Sequence, residues 1–411
     1  MKAIDTIVIG AGHAGLATSR CLTEAGREHV VLDRGRLAES WRSARWDSLH
    51  LLTPNWMSRL PGWSYQGDDP DGYMPAADLV GYLSAYARSF RAPVQSWTAV
   101  SDVRATEGGY RVTTTNGVWT ARNVVVAAGP RPRVPALSDA LAPSIVQVHT
   151  NRYRNPAALP DGGVLVVGAS ASGVQVASEL RQAGRDVVIA VGTHTRLPRR
   201  YRGMDIMWWL EQLGALDRTV DEVRDLEKAR RDPSSQLTGS YGGRGIDLAA
   251  LNDLGVVITG RLTGIDGHRV SFASDLPATT MAADQRLRST ITKIDNHVAS
   301  AGLDSEVCPP KDIPEVRLPA GPSSLDLRAA GISTVVWATG FEFRYPWLQV
   351  PVTDAAGDIK QYRGVTEAPG LYVMGLRFMY RRNSQFIDGA RHDASAVVRH
   401  LTGAAALATK E

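Results

Sequence analysis

The chain has 411 residues, of which 44% are hydrophobic and 21% charged, with a formal net charge of +4. Such a chain buries a sizeable core, divides into about two or three globular domains and is expected to be soluble. The mild, scattered positive charge does not point to nucleic acid as a partner. Two cysteines, Cys21 and Cys308, stand in no CxxC pair. This argues against a disulfide framework, a common zinc site and a redox-active dithiol, and no metal is expected. The apolar run at residues 4–10 is too short and lacks the basic leader of a signal peptide. No stretch approaches the length of a membrane span, so a cytoplasmic setting is the expectation.

In chain order, the pattern opens with a strand at residues 6–9 that meets "GAGHAG", carrying Gly10, Gly12 and Gly15. A helix through "LATSRCLTEA" stops at Gly26, and the strand "HVVLD" ends at Asp33. Residues 78–90 read as an amphipathic helix with Asp78 as a candidate N-cap. Residues 97–120 alternate and contain the turn signals "EGGY" and "TNGV", which predicts a small antiparallel meander. The apolar strand "NVVVAAG" follows, ending at Gly129.

The grammar then repeats. "VLVVG" runs into "GASASG" (Gly168, Ser170, Gly173), a helix through "VQVASELRQA" stops at Gly184, and "DVVIAV" is the next strand. Residues 204–232 read as helical, "PSSQLTGSYGGRG" as a loop, 255–272 as short strands and 283–301 as a helix. "TVVWATG" closes the repeat at Gly340. Each glycine turn is therefore echoed by an apolar strand ending in Ala-x-Gly, the mark of a duplicated βαβ module. The predicted fold is α/β, with two Rossmann-like, doubly wound, three-layer dinucleotide-binding domains and small antiparallel β meanders. The second domain is inserted in the first: residues 1–155 and 336–411 form one, residues 156–335 the other, with a helical lid at about 204–300.

The turns have a specific chemistry. Gly10 permits a tight strand-to-helix turn, Gly12 lets backbone approach a pyrophosphate, and Gly15 lets the helix pack on the strand. The helix N-terminus offers free N–H groups to the anion. Asp33, 18 residues beyond Gly15, can accept hydrogen bonds from ribose hydroxyls. The second turn has Ser170 in place of the middle glycine, and its second strand ends without an acid. Instead "GTHTRLPRRYRG" brings Arg196, Arg199, Arg200 and Arg202. A carboxylate repels a ribose 2′-phosphate and an arginine forks onto it, which favours NADPH, with the contacting arginine left open. The first site then suits FAD and the second NADPH, and a flavin beside a nicotinamide implies NADPH-driven flavin reduction.

The chain resembles the class B flavoprotein monooxygenases, which include flavin-containing, plant indole-pyruvate and Baeyer–Villiger monooxygenases. The resemblance is carried by "GAGHAG", "ESWRSARWDSLHLLTP", "VVVAAGPRPRVP", "VHTNRYRNP" ahead of "VLVVGASASG", "VVWATGF" and "GLYVMGL…RRNSQFIDGARHDA". It implies that Trp41 and Arg42 lie along the flavin, with Thr53, Pro54 and Asn55 near its isoalloxazine ring. It also implies Val103 near the adenine, Ala128 and Gly129 over the FAD phosphates, and Asp388 at the pyrimidine end. His13, Ala14 and Arg34 join that FAD set, and Ser172, Thr339 and Gly340 join the NADP set. The family's FxGxxxH fingerprint is degenerate here: Pro143 and Ile145 replace the Phe and Gly, leaving His149 and Tyr153.

With no dithiol to receive electrons, dioxygen is the acceptor that the resemblance implies. Reduced flavin then forms a C4a-hydroperoxide that oxygenates a small organic substrate, by N- or S-oxygenation or hydroxylation. Asn55 is the candidate for hydrogen-bonding the oxygen adduct or substrate. Met204, Met207, Trp208, Trp209, Trp56 and Trp63 are candidates for a water-excluding shield, with plain core packing as the competing reading for the two adjacent tryptophans. Other readings stay open: an NADPH-dependent reductase serving a quinone or protein, a Baeyer–Villiger monooxygenase, and a non-catalytic nucleotide sensor. A homodimer is compatible with all of them, and the sequence does not name the substrate.

Overall fold

The computed structural model describes residues 2–240 and 245–403. The expected loop "PSSQLTGSYGGRG" lies partly outside the described residues. Strands β1 (Lys2–Ile9), β2 (His29–Leu32), β3 (Val94–Gln95), β4 (Val100–Thr106), β5 (Gly109–Thr114) and β6 (Gly117–Val126) form one sheet in the order β3-β2-β1-β6-β5-β4. The long β6 has two jobs. Its first half pairs antiparallel with β5, Tyr110 opposite Ala121, while β1 runs parallel to it from Lys2–Trp119 to Ile9–Val126. The expected meander is therefore continuous with the main sheet, which is mixed.

A second sheet is built from β7 (Val146–His149), β8 (Gly163–Val167), β9 (Val187–Ala190), β10 (Val257–Thr259) and β11 (Ile332–Trp337), all parallel, in the order β7-β11-β8-β9-β10. The chain then returns: β12 (Leu371–Val373) pairs parallel with Val124–Val126 of β6. The second sheet is thus an insertion between two strands of the first.

Six helices matter for the site: α1 (His13–Glu24), α2 (Ala76–Ser89), α3 (Ala171–Gln182), α4 (Ile206–Gln212), α5 (Leu276–Ala301) and α6 (Ile387–Thr402). α1 and α6 pack on each other beside the first sheet. In the second sheet the period of two along a strand sorts side chains to opposite faces. Val164 and Val166 meet Val174 and Leu180 of α3, while Leu165 and Val167 meet Val270 and Phe272. That other face is covered by a three-stranded antiparallel meander, Leu262–Asp266, Arg269–Phe272 and Ser324–Asp326, and not by a helix layer.

The expected helix at 204–232 is broken. α4 ends at Gln212, Gly214 takes φ +61°, and a separate helix starts at Leu226 behind an Asp225 cap. Asp78 stands in the first turn of α2 and does not cap it; Pro75 occupies the N-cap position. Trp209 is fully buried, donates to the Tyr201 carbonyl at 2.7 Å, and packs with Ile294, Val298 and Met57. It is a core residue, and because Met57 precedes the insertion, this core clamps the two parts of the chain together. No helix among the described residues is long and apolar enough to cross a membrane.

Candidate functional site

The two glycine turns are the same object built twice. Gly10 and Gly168 have φ +113° and +108°, which only glycine adopts without strain. A Cβ on Gly10 would stand 2.3 Å from the Ala127 carbonyl oxygen; one on Gly168 would stand 2.5 Å from that of Ala338. Gly15 and Gly173 repeat the pattern one turn later, 1.9 and 1.8 Å from the Gly10 and Gly168 oxygens. The Ala-x-Gly ends of the echo strands are thus the surfaces against which the turns press.

Gly12 differs. A Cβ there would meet no protein atom within 4 Å, so the fold itself does not demand its glycine. Ser170 has nearly the same backbone angles as Gly12, φ −78° and ψ −175° against −79° and −177°. The serine substitution leaves the turn unchanged. Neither α1 nor α3 has a side-chain cap bond, so both present first-turn N–H groups to whatever lies beyond. Ala14 is buried in that first turn of α1, and Ser172 is half-buried in that of α3.

Around the first turn, Asp33 accepts from the Ala11 N–H at 2.7 Å and from the Gly35 N–H at 2.8 Å. It knits the turn to the end of β2, and each oxygen retains acceptor capacity. Arg34, Ala128 and Gly129 are exposed. The His13 Nε2 is buried without a hydrogen-bond partner. Burial, aided by the charge of Arg45, pushes its pKa down to about 4, so the ring is neutral. Arg45 itself is held by the Ala44 carbonyl at 2.6 Å and lies 4.5 Å over the Trp41 ring. Among the described residues it has no carboxylate partner, and burial lowers its pKa to about 10. An uncapped helix end and an uncompensated guanidinium fit an anionic, hydrogen-bonding group such as the pyrophosphate of FAD. Arg45 lies inside "ESWRSARWD" and sequence reasoning passed over it.

Trp41 packs against both main cores, whereas Arg42 is exposed and donates to the Leu37 carbonyl. Thr53 is half-buried and Val103 fully buried, its N–H on the Trp347 carbonyl. Asn55 is buried, donates to the Asp69 carbonyl at 2.9 Å and accepts from the Met74 N–H at 2.8 Å. Both ends of its amide thus pin the 69–74 loop. It lines a cleft of about 380 Å³ with Tyr65, Tyr73, Asp78 and Tyr82. Asp388 is buried in the first turn of α6 and ion-paired to Arg59 and Arg391 at 2.6 and 3.0 Å. Arg59 also reaches Glu211 of α4 at 2.6 Å. That three-residue link left no signal in the sequence.

Around the second turn, three of the four arginines have internal partners. Arg196 is 6% exposed, between Asp247 and Asp284 at 2.7 and 2.6 Å. Arg199 is 1% exposed, 2.5 Å from Asp205, with Tyr73 bonded to the same carboxylate. Arg202 pairs with Asp295 and Asp304. Arg200 is exposed, at the rim of a cleft of about 300 Å³ lined by Arg196, Arg199 and Asp247. Thr339 donates to the Arg133 carbonyl at 2.5 Å, and the Gly340 carbonyl faces His149 Nε2 at 3.0 Å. His149 is thereby satisfied by backbone, and burial lowers its pKa.

An inserted parallel sheet, two matching turns and two uncapped helix ends define a flavoprotein-type oxidoreductase. The chain belongs to the pyridine nucleotide-disulphide oxidoreductase family, whose profile matches residues 7–212. It is 32% identical over 97% of its length to an uncharacterized oxidoreductase, CzcO-like, of Geobacillus kaustophilus, covering 98% of that protein. It is 33% identical to the indole-3-pyruvate monooxygenase YUCCA6 of Arabidopsis thaliana over 48% of this chain and 50% of that one. The flavin-containing monooxygenase of Stenotrophomonas maltophilia shares the fold, with TM-score 0.66 at 19% identity, over 98% of this chain and 99% of that one. The resemblance to class B flavoprotein monooxygenases is borne out, and the chain is an oxidoreductase.

Proposed function

We propose that the chain is an FAD-dependent, NADPH-consuming monooxygenase acting on a small organic substrate. Residues 1–155 and 336–411 hold FAD at the first turn, and residues 156–335 hold NADPH at the second. The observation that carries this reading is the duplicated turn with its uncapped helix end, because two such ends call for two anionic dinucleotides. When bound, FAD supplies the redox chemistry and the reaction with dioxygen, and NADPH supplies reducing equivalents.

The chain's own residues bind, orient and exclude. Arg45 and the α1 N-terminus, which begins at His13, hold the pyrophosphate, and Asp33 orients the ribose while bracing the turn. Arg200 takes the 2′-phosphate, since Arg196 and Arg199 are committed to internal carboxylates. Asn55 fixes the wall of the cleft beside the flavin. The Met57–Trp209 core and the Arg59–Glu211 pair hold the inserted helices against the flavin unit and keep water out. Both cysteines are free, which supports oxygen over a disulfide as the electron acceptor.

Isotopic labelling tests the reading. Yellow purified protein supplied with NADPH and ¹⁸O₂ is expected to oxidise NADPH faster with a screened amine or sulfide and to place ¹⁸O in the product. Fast anaerobic reduction of a quinone, with no label incorporated under ¹⁸O₂, would instead identify a reductase.

A further inference from the structure

Trp97 is the most exposed of the large apolar side chains among the described residues, at 63%. It belongs to none of the four apolar cores. Its φ is +56°, the left-handed region, which costs energy in an aromatic residue and which glycine or asparagine takes more readily. Folding therefore gains nothing evident from a tryptophan here.

The surroundings nonetheless hold it in place from both sides. The Trp97 N–H donates to the Gly35 carbonyl at 3.0 Å. Its own carbonyl accepts from Asn116 Nδ2 at 3.1 Å, and the same amide reaches Thr98 Oγ1 at 2.8 Å. The Thr98 N–H donates to the Asp33 carbonyl at 2.7 Å, and the Asp33 N–H to the Gln95 carbonyl at 3.1 Å. Trp97 is thus fastened beside the acid that ends β2. Strain that is over-determined in this way is characteristic of ligand clamps.

We infer that Trp97 is the stacking platform for the adenine of FAD. This rests on the assignment of FAD to the first turn. In such a crevice the ribose lies at the acid ending the second strand, so the base lies just beyond it. An indole face standing there in water offers a purine what a backbone cannot, a broad π surface. Trp97 is a positioning residue: it recognises the adenosine half and does not touch the flavin ring.

Apoprotein stripped of flavin tests this by titration with FAD, ADP and FMN, followed by tryptophan and flavin fluorescence. Trp97→Ala is expected to weaken FAD and ADP by about tenfold and leave FMN unchanged. Trp97→Tyr is expected to restore most of the affinity, and Trp97→Asn, which relieves the backbone, is expected to behave like alanine. Unchanged FAD affinity in Trp97→Ala would overturn the platform alone, and loss of self-association with FAD affinity intact would assign the ring to a protein contact instead. Equal weakening of FAD and FMN would reduce Trp97 to a structural residue. Wild-type apoprotein that bound neither FAD nor ADP would overturn the cofactor assignment and this inference with it.

Discussion

Arg59 Nε lies 2.6 Å from Asp388 Oδ1, joining the two-residue strand Arg59–Leu60 to a carboxylate in the first turn of α6, 329 residues further along. Asp388 is 4% exposed at its side chain, and Arg59 is 30% exposed with a second bond to Glu211. Removing the arginine leaves a buried carboxylate with Arg391 alone. Arg59→Ala is therefore expected to cost about 2 kcal/mol in urea unfolding, less than a fully buried pair because Arg59 is partly solvated. It is also expected to loosen the inserted helices, read as faster amide exchange in 206–212. Asp388→Asn, which keeps the shape and removes the charge, is expected to cost less.

Gly12 and Gly15 separate the needs of the fold from those of the ligand. A Cβ on Gly15 would overlap the Gly10 carbonyl oxygen at 1.9 Å, whereas one on Gly12 meets nothing within 4 Å. Gly15→Ala is expected to lower the melting temperature sharply or to abolish soluble expression, as overpacking against backbone does. Gly12→Ala is expected to melt within a degree or two of wild-type apoprotein, yet to bind FAD at least about tenfold more weakly. Matching losses of stability in the two variants would refute the distinction.

These glycines also show what was legible from sequence. The echo of each turn by an Ala-x-Gly strand end was readable because close backbone approach demands small residues on both sides, and Ala127 and Ala338 are those residues. The duplication and the insertion followed from it. Partners set by tertiary packing were not readable. Nothing near Arg196 in the chain announces Asp247 or Asp284, and Arg199 meets Tyr73, 126 residues earlier, both through Asp205 and directly, 4.8 Å over its ring. The break in the 204–232 helix follows from local caps at Thr219 and Asp225, which the apolar period of the preceding segment overshadowed.

Arg200 and Arg196 make opposite predictions from neighbouring positions. Arg200 is exposed at the cleft, so Arg200→Ala is expected to raise KM for NADPH about tenfold, with kcat and the NADH reaction unchanged. Arg196 is buried between two carboxylates, so Arg196→Ala is expected to unfold more easily, because Asp284 would be left buried without its cation. A rise in KM for NADPH and NADH alike in Arg200→Ala would remove the 2′-phosphate from its role.

Asp393 adds its own pH-dependent contribution to stability, which an asparagine at that position isolates. It is 1% exposed on α6, and burial raises its pKa from 3.8 to about 7, with Ser384 and Arg381 relieving this only in part. A carboxyl whose pKa is higher in the folded state binds its proton more tightly there, so its ionisation opposes folding. The penalty is absent below pH 4, grows as the pH rises towards 7, and is complete above it. Asp393→Asn removes the charge and keeps the shape. It is expected to be the more stable protein at pH 8, with the gap narrowing by about 2 kcal/mol between pH 8 and pH 5. Urea unfolding at the two pH values measures it. A gap that stayed constant, or widened towards acid, would mean that the carboxylate is compensated in the fold and carries no such penalty.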